Sequence, residues 1–175
     1  MEIKLNVLNY SKGMSDDSIK VYIENLFKEL LNNGVNIDNV QIEYNNADHY
    51  KMVKKFIDEN PRDKPLIKNP KLFSAICEYY SKCERFIIIG ENLPTQNKWG
   101  DAITDLFTVI KNISEKNIWH EVAHIIGAED HYDCDTQKAI NNCMSDNCIM
   151  QFGKANGIFC ECSINEIKGY LKKLE

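Results

Sequence analysis

An unbroken apolar run near the middle of the chain, within residues 85–90, constrains the fold more than any other feature. Phe86, Ile87, Ile88 and Ile89 follow one another without a polar residue between them. Successive side chains of a strand point to opposite faces, so this run predicts a strand that is buried on both faces. Such strands are typical of parallel sheets covered by helices on both sides.

Strand-like and helix-like patterns alternate along the sequence as far as Gly127. Alternating or apolar segments predict further strands at 2–9, 40–44 and 106–110. Apolar residues at helical spacing predict helices at 15–33, 48–59, 72–82 and 114–127. Strands that alternate with helices predict an α/β fold with a mostly parallel sheet.

Beyond Gly127 the sequence becomes polar, irregular and rich in cysteine, until a last predicted helix at 163–174. A chain of 175 residues has the length of one ordinary domain. We therefore interpret residues 1–175 as a single domain in two parts. These are an α/β subdomain at 1–127 and a cysteine-rich subdomain at 128–175.

Composition excludes several classes of function. The formal net charge of −5 argues against a nucleic-acid partner, because phosphate binding requires a basic surface. No stretch approaches eighteen consecutive apolar residues, so we expect no membrane span. The first residues do not resemble a secretory signal, which predicts a cytoplasmic protein unless a leader has been removed.

The clearest chemical motif is H-E-x-x-H, within residues 119–132, which read WHEVAHIIGAEDHY. His120 and His124 are four residues apart on a predicted helix, so both imidazoles project from one face and can bind one ion. Glu121 is placed to accept a proton from a water molecule that zinc activates. Gly127 can end the helix in a left-handed turn that returns the chain towards the metal.

This stretch resembles the metzincin metallopeptidases, whose signature is H-E-x-x-H-x-x-G-x-x-(H/D) followed downstream by a methionine turn. The resemblance, closest to the snapalysin-like group with its Asp-His-Tyr, implies that Asp130 is the third zinc ligand. It also implies that Tyr132 stabilises the oxyanion and that Met150 lies in the turn, with Met144 as the alternative. His131 competes as third ligand, because histidine is the stronger zinc donor. If Asp130 is the ligand, His131 becomes a neighbour of the metal site or a surface residue.

Seven cysteines cannot all pair within one chain, and five of them follow residue 133. Their spacing resembles the archaemetzincin branch, which implies a second, structural zinc bound by Cys143, Cys148, Cys160 and Cys162. Disulfides or buried thiols remain the alternatives.

The sequence thus predicts a zinc metallopeptidase that acts on a peptide or protein substrate. The alternative is a catalytically silent, zinc-stabilised module that binds a peptide or protein.

Overall fold

The computed structural model describes residues 2–132, 147–151 and 157–174. Within them the chain forms five strands and five α-helices, with a short 3₁₀ turn at Leu66–Lys68. The strands are β1 (Ile3–Asn9), β2 (Val40–Tyr44), β3 (Glu84–Ile89), β4 (Gly100–Ile103) and β5 (Phe107–Ile110). The helices are α1 (Asp16–Asn32), α2 (Ala47–Glu59), α3 (Pro70–Tyr80), α4 (Glu115–Ile125) and α5 (Glu161–Lys173).

The strands form one sheet in the order β2-β1-β3-β5-β4. The first four are parallel to one another, and β4 runs antiparallel to β5 at the edge. The prediction of an α/β fold with a mostly parallel sheet is confirmed. The sequence did not predict β4, since Gly100, Asp101 and Ala102 have low strand propensity. Pairing with β5 supplies what the local sequence lacks.

Strand β3 is buried on both faces, as its apolar run predicts. One face of the sheet carries Ile87 and Ile89 and packs in the same core as residues of α1 and α4. The other face carries Phe86 and Ile88, with α2 and α3 packed against it. The helices therefore cover both faces, as parallel strands require.

The segments after Gly127 contribute to the first of these two cores. Ile149 and Met150, together with Ile164 and Ile167 of α5, are buried in the same cluster as α1 and α4. This packing brings the described segments at 147–151 and 157–174 against the helix that carries the H-E-x-x-H motif. No helix in the described part of the chain is long and apolar enough to cross a bilayer.

Candidate functional site

Helix α4 places His120 and His124 side by side. Ser114 caps its N-terminus by accepting a hydrogen bond from the backbone of Asn117, and the apolar side of the helix is buried in the core. The two histidines lie one turn apart, and their Nε2 atoms are 3.2 Å from each other. The spacing of the motif therefore yields the convergent pair that the sequence predicts.

The chain reverses after α4 and brings Asp130 to the same point. Gly127 has a φ of +101°, which favours glycine, and the Ala128 amide donates to the Ala123 carbonyl at 2.9 Å. Asp130 Oδ1 consequently lies 3.4 Å from Nε2 of His120 and 3.3 Å from Nε2 of His124. We call these three residues the histidine–aspartate cluster.

The hydrogen bonds of the two imidazoles fix where their protons are. Nδ1 of His120 lies 2.9 Å from the Ile149 carbonyl, and Nδ1 of His124 lies 3.0 Å from the Ala128 carbonyl. A carbonyl oxygen can only accept, so each Nδ1 carries the hydrogen of its neutral ring. In its neutral form each ring therefore carries its lone pair on Nε2, the atom that faces the other ring and the Asp130 carboxylate. This is the arrangement of histidines that bind a metal.

Asp130 Oδ1 is buried and faces the Nε2 atoms of His120 and His124. Burial by itself would raise the pKa of Asp130, but His124 and His120 lower it on balance. Burial and the neighbouring His124 lower the pKa of His120 to about 4. Burial by itself would lower the pKa of His124, but the Asp130 carboxylate raises this pKa on balance. An ionised carboxylate beside the neutral imidazole of His120 suits a cation as the shared partner.

Glu121 is buried and faces the sheet edge beside this cluster. Its Oε2 lies 3.3 Å from Oγ1 of Thr108 in β5, and burial raises the pKa of its carboxyl group to about 7. A Cβ added at Gly100 would lie only 2.9 Å from Glu121 Oε1, so the strand backbone approaches this carboxylate closely. Gly100 was missed because β4 was not predicted, whereas Thr108 lies in the predicted strand β5 and nothing in the local sequence indicates that it contacts Glu121.

Tyr132 lies next to the histidine–aspartate cluster, and Met150 directly follows Ile149, whose carbonyl contacts His120. The Tyr132 side chain forms a hydrogen bond with the Asp130 carboxylate and helps to lower its pKa. Its role at an oxyanion stays a prediction. Met150 is fully buried, and its carbonyl accepts a hydrogen bond from the His131 amide at 2.9 Å. Met144, the alternative methionine, lies outside the described residues.

His131 belongs to a second group of ligand-type side chains. It is only 1% exposed, so of the two positions expected for it, beside the metal site or at the surface, the surface is excluded. Its Nδ1 lies 3.5 Å from Sγ of Cys148 and of Cys160, and the two sulfurs are 3.2 Å apart. Its Nε2 lies 3.1 Å from Oε1 of Glu166. Both ring nitrogens are thus engaged away from the histidine–aspartate cluster, where His131 was the rival ligand.

His131, Cys148 and Cys160, which we call the histidine–cysteine cluster, are all buried and could hold a metal ion. Burial raises the pKa of the Cys148 thiol to about 11, so a cation would have to stabilise its thiolate. Cys162 lies outside the cluster, although its thiol forms a hydrogen bond with that of Cys160. Cys143, predicted as a ligand, falls outside the described residues. No disulfide joins two of the described cysteines.

The sequence matches no protein-family model and no curated protein. A solved structure titled "Structure of a chaperone-substrate complex" aligns with a TM-score of 0.48 at 12% identity. The alignment covers 99% of this chain and 35% of that chain, so this chain spans about a third of its length.

Proposed function

We propose that this protein is a zinc metallopeptidase of the metzincin type. One observation carries the proposal. One ring nitrogen each of His120 and His124 and one carboxylate oxygen of Asp130 lie 3.2–3.4 Å from one another, and the other ring nitrogen of each histidine is bonded to a backbone carbonyl. A buried carboxylate, that of Glu121, stands beside them. The snapalysin-like resemblance of the surrounding residues agrees with this reading.

The dimensions and chemistry of the cluster fit zinc. A tetrahedral ion with bonds of about 2.0–2.1 Å separates its ligand atoms by about 3.3–3.4 Å, close to the three distances observed. Two imidazole nitrogens and one carboxylate oxygen are ligand types that zinc accepts. Three protein ligands leave a fourth position for water or substrate, which is typical of catalytic zinc. The thiolate-rich histidine–cysteine cluster also suits zinc, in a structural role.

Zinc at this position would supply a Lewis acid and lower the pKa of a water molecule. Glu121 would accept a proton from a water molecule and donate it to the leaving amine. Thr108 and the backbone at Gly100 hold the Glu121 carboxylate at the edge of the sheet. His120, His124 and Asp130 bind the ion and take no part in proton transfer.

The position of β4 suggests how a peptide substrate binds. Among the described strands, β4 pairs with β5 alone, so its outer edge can accept another strand. An extended peptide that pairs with this edge passes Gly100, against which Glu121 lies. The substrate class is therefore a peptide or an unfolded protein segment. The alternative function, a catalytically silent binding module, does not require the buried Glu121 carboxylate beside the histidine–aspartate cluster.

Removal of zinc is expected to abolish hydrolysis of denatured, fluorescently labelled casein. Dialysis against a chelator should reduce cleavage to the background rate, because the ligands alone cannot activate water. Returning zinc should restore the rate, and returning magnesium should not, since magnesium requires oxygen ligands in octahedral geometry. Cleavage is followed by fluorescence, and zinc content by elemental analysis.

A chain that contains zinc but leaves casein and a library of short peptides intact would contradict the peptidase and support the silent module. Cleavage that survives complete removal of metal would point to a contaminating protease or to another mechanism. A His120→Ala variant purified in parallel separates these two cases, because a contaminant would accompany both preparations.

A further inference from the structure

The two clusters are joined through neighbouring residues at two points. Asp130 of the histidine–aspartate cluster directly precedes His131 of the histidine–cysteine cluster. Cys148 directly precedes Ile149, whose carbonyl accepts the hydrogen bond from His120 Nδ1 at 2.9 Å. A displacement of His131 therefore moves its neighbour Asp130, and a displacement of Cys148 moves the Ile149 carbonyl that contacts His120.

The two connecting segments are also bonded to each other. The His131 amide donates to the Met150 carbonyl at 2.9 Å, and the Ile149 amide donates to the Ile158 carbonyl at 2.8 Å. A Cβ added at Gly157 would lie 2.6–2.9 Å from backbone atoms of residues 147–149, so the chain segments are in close contact there. The carbonyl that orients His120 is held by these backbone bonds and by Cys148.

Helix α5 anchors the assembly from the other side. Cys160 caps the helix, and its sulfur accepts from the Ser163 amide at 3.5 Å. Glu166 lies on this helix and contacts His131 Nε2 through Oε1. Its Oε2 accepts a hydrogen bond from the Glu129 amide at 3.0 Å. The second contact holds the residue that directly precedes Asp130.

The Glu166–His131 pair also decides which nitrogen is free to bind. A carboxylate accepts the hydrogen of Nε2, which leaves the lone pair on Nδ1 facing the two sulfurs. A tetrahedral zinc ion separates two sulfur ligands by about 3.8 Å, so the sulfurs at 3.2 Å would move apart slightly when it binds. Zinc or another thiophilic divalent cation suits this donor set.

We propose that metal bound by His131, Cys148 and Cys160 fixes Asp130 and the Ile149 carbonyl, and thereby strengthens metal binding at the histidine–aspartate cluster. Glu166 is a positioning residue for both clusters, because it contacts His131 and the residue before Asp130. The inference rests on the proposed function only in treating the first cluster as a metal centre. Coupling between two binding sites is reciprocal, so each metal raises the affinity of the other site by the same factor.

The test measures metal affinity and not hydrolysis. The full-length protein is stripped of metal and titrated with cobalt(II), whose thiolate charge-transfer absorption reports the histidine–cysteine cluster. Zinc affinity at each site follows from competition with a chromophoric chelator. In Cys160→Ser we expect zinc affinity at the histidine–aspartate cluster to fall about 10- to 100-fold, as for loss of groups that orient ligands. Cys77→Ser, which changes an exposed thiol on α3, is the matched control and should leave both affinities unchanged.

Glu166→Gln provides a second variant that removes no metal ligand and keeps the side-chain volume. We expect weaker cobalt binding at the thiolate site and weaker zinc binding at the histidine–aspartate cluster, with Glu161→Gln on the same helix as control. Circular dichroism establishes that each variant is folded. If Cys160→Ser does not fold, Glu166→Gln decides the question.

Unchanged zinc affinity at the first cluster in folded Cys160→Ser or in Glu166→Gln would overturn the coupling. A wild-type chain without the thiolate absorption would overturn it as well. A wild-type chain that binds two metals but cleaves no peptide would reject the proposed peptidase and leave the coupling to be decided by these affinities.

Discussion

Replacing Glu121 by glutamine is expected to lower peptide hydrolysis about 10²- to 10⁴-fold, the usual contribution of a general acid–base group. The amide keeps the size of the side chain but cannot accept the proton. Glu121 is not one of the three residues whose ligand atoms converge, so the zinc content should stay unchanged. The rate of casein cleavage and the zinc content per chain are measured on the same preparation.

Glu115→Gln is the matched control for this variant. Glu115 lies at the start of the same helix, and its carboxylate accepts a hydrogen bond from Asn25 at 2.8 Å. We expect this change to leave the rate of hydrolysis near that of the wild type. Substantial hydrolysis by Glu121→Gln would show that another group accepts the proton, and loss of zinc from it would assign the carboxylate a role in metal binding.

Gly127→Ala is expected to destabilise the fold more than alanine at any other glycine that the structure describes. The backbone there has a φ of +101°, and the new Cβ would lie 2.3 Å from Tyr170 Cβ on α5. Backbone strain of about 1–3 kcal/mol and overpacking of about 1–3 kcal/mol together give roughly 2–6 kcal/mol. That is a large share of the roughly 5–15 kcal/mol that stabilises a typical domain. The free energy of unfolding is measured with urea.

Gly169→Ala, one residue before Tyr170, is the control. An added Cβ there has no neighbour within 4 Å among the described residues, and the position is inside α5. Alanine should stabilise this helix by about 0.5–1 kcal/mol relative to glycine. Equal stability of Gly127→Ala and the wild type would mean that α5 does not pack against the turn after α4 as described.

The strongest sequence signals were those set by local periodicity. The apolar run of β3 predicted a strand buried on both faces, and the structure confirms it. The two histidines were placed on one helix face because a spacing of four residues fixes their relation whatever the helix packs against. The structure brings Asp130 to them, since the turn at Gly127 is also local.

Features that depend on distant parts of the chain were missed or assigned differently. β4 carries residues of low strand propensity and exists through its pairing with β5. The sequence predicted a metal site of four cysteines. Among the described residues, two of these cysteines instead form a candidate metal site with His131. Nothing in the local sequence indicates that His131 faces Cys148 and Cys160, which follow it by 17 and 29 residues.

The sequence by itself determined the α/β architecture and the convergence of His120 with His124, because both follow from helix and strand periods. Only the tertiary structure decided the rest. In the tertiary structure Glu121 lies against the edge strand β4. His131 belongs to the histidine–cysteine cluster and not to the histidine–aspartate cluster, and Glu166 of α5 contacts its Nε2. These contacts depend on how separate elements pack on one face of the sheet. Hydrophobic periodicity indicates secondary structure, but it does not indicate which distant segments pack together.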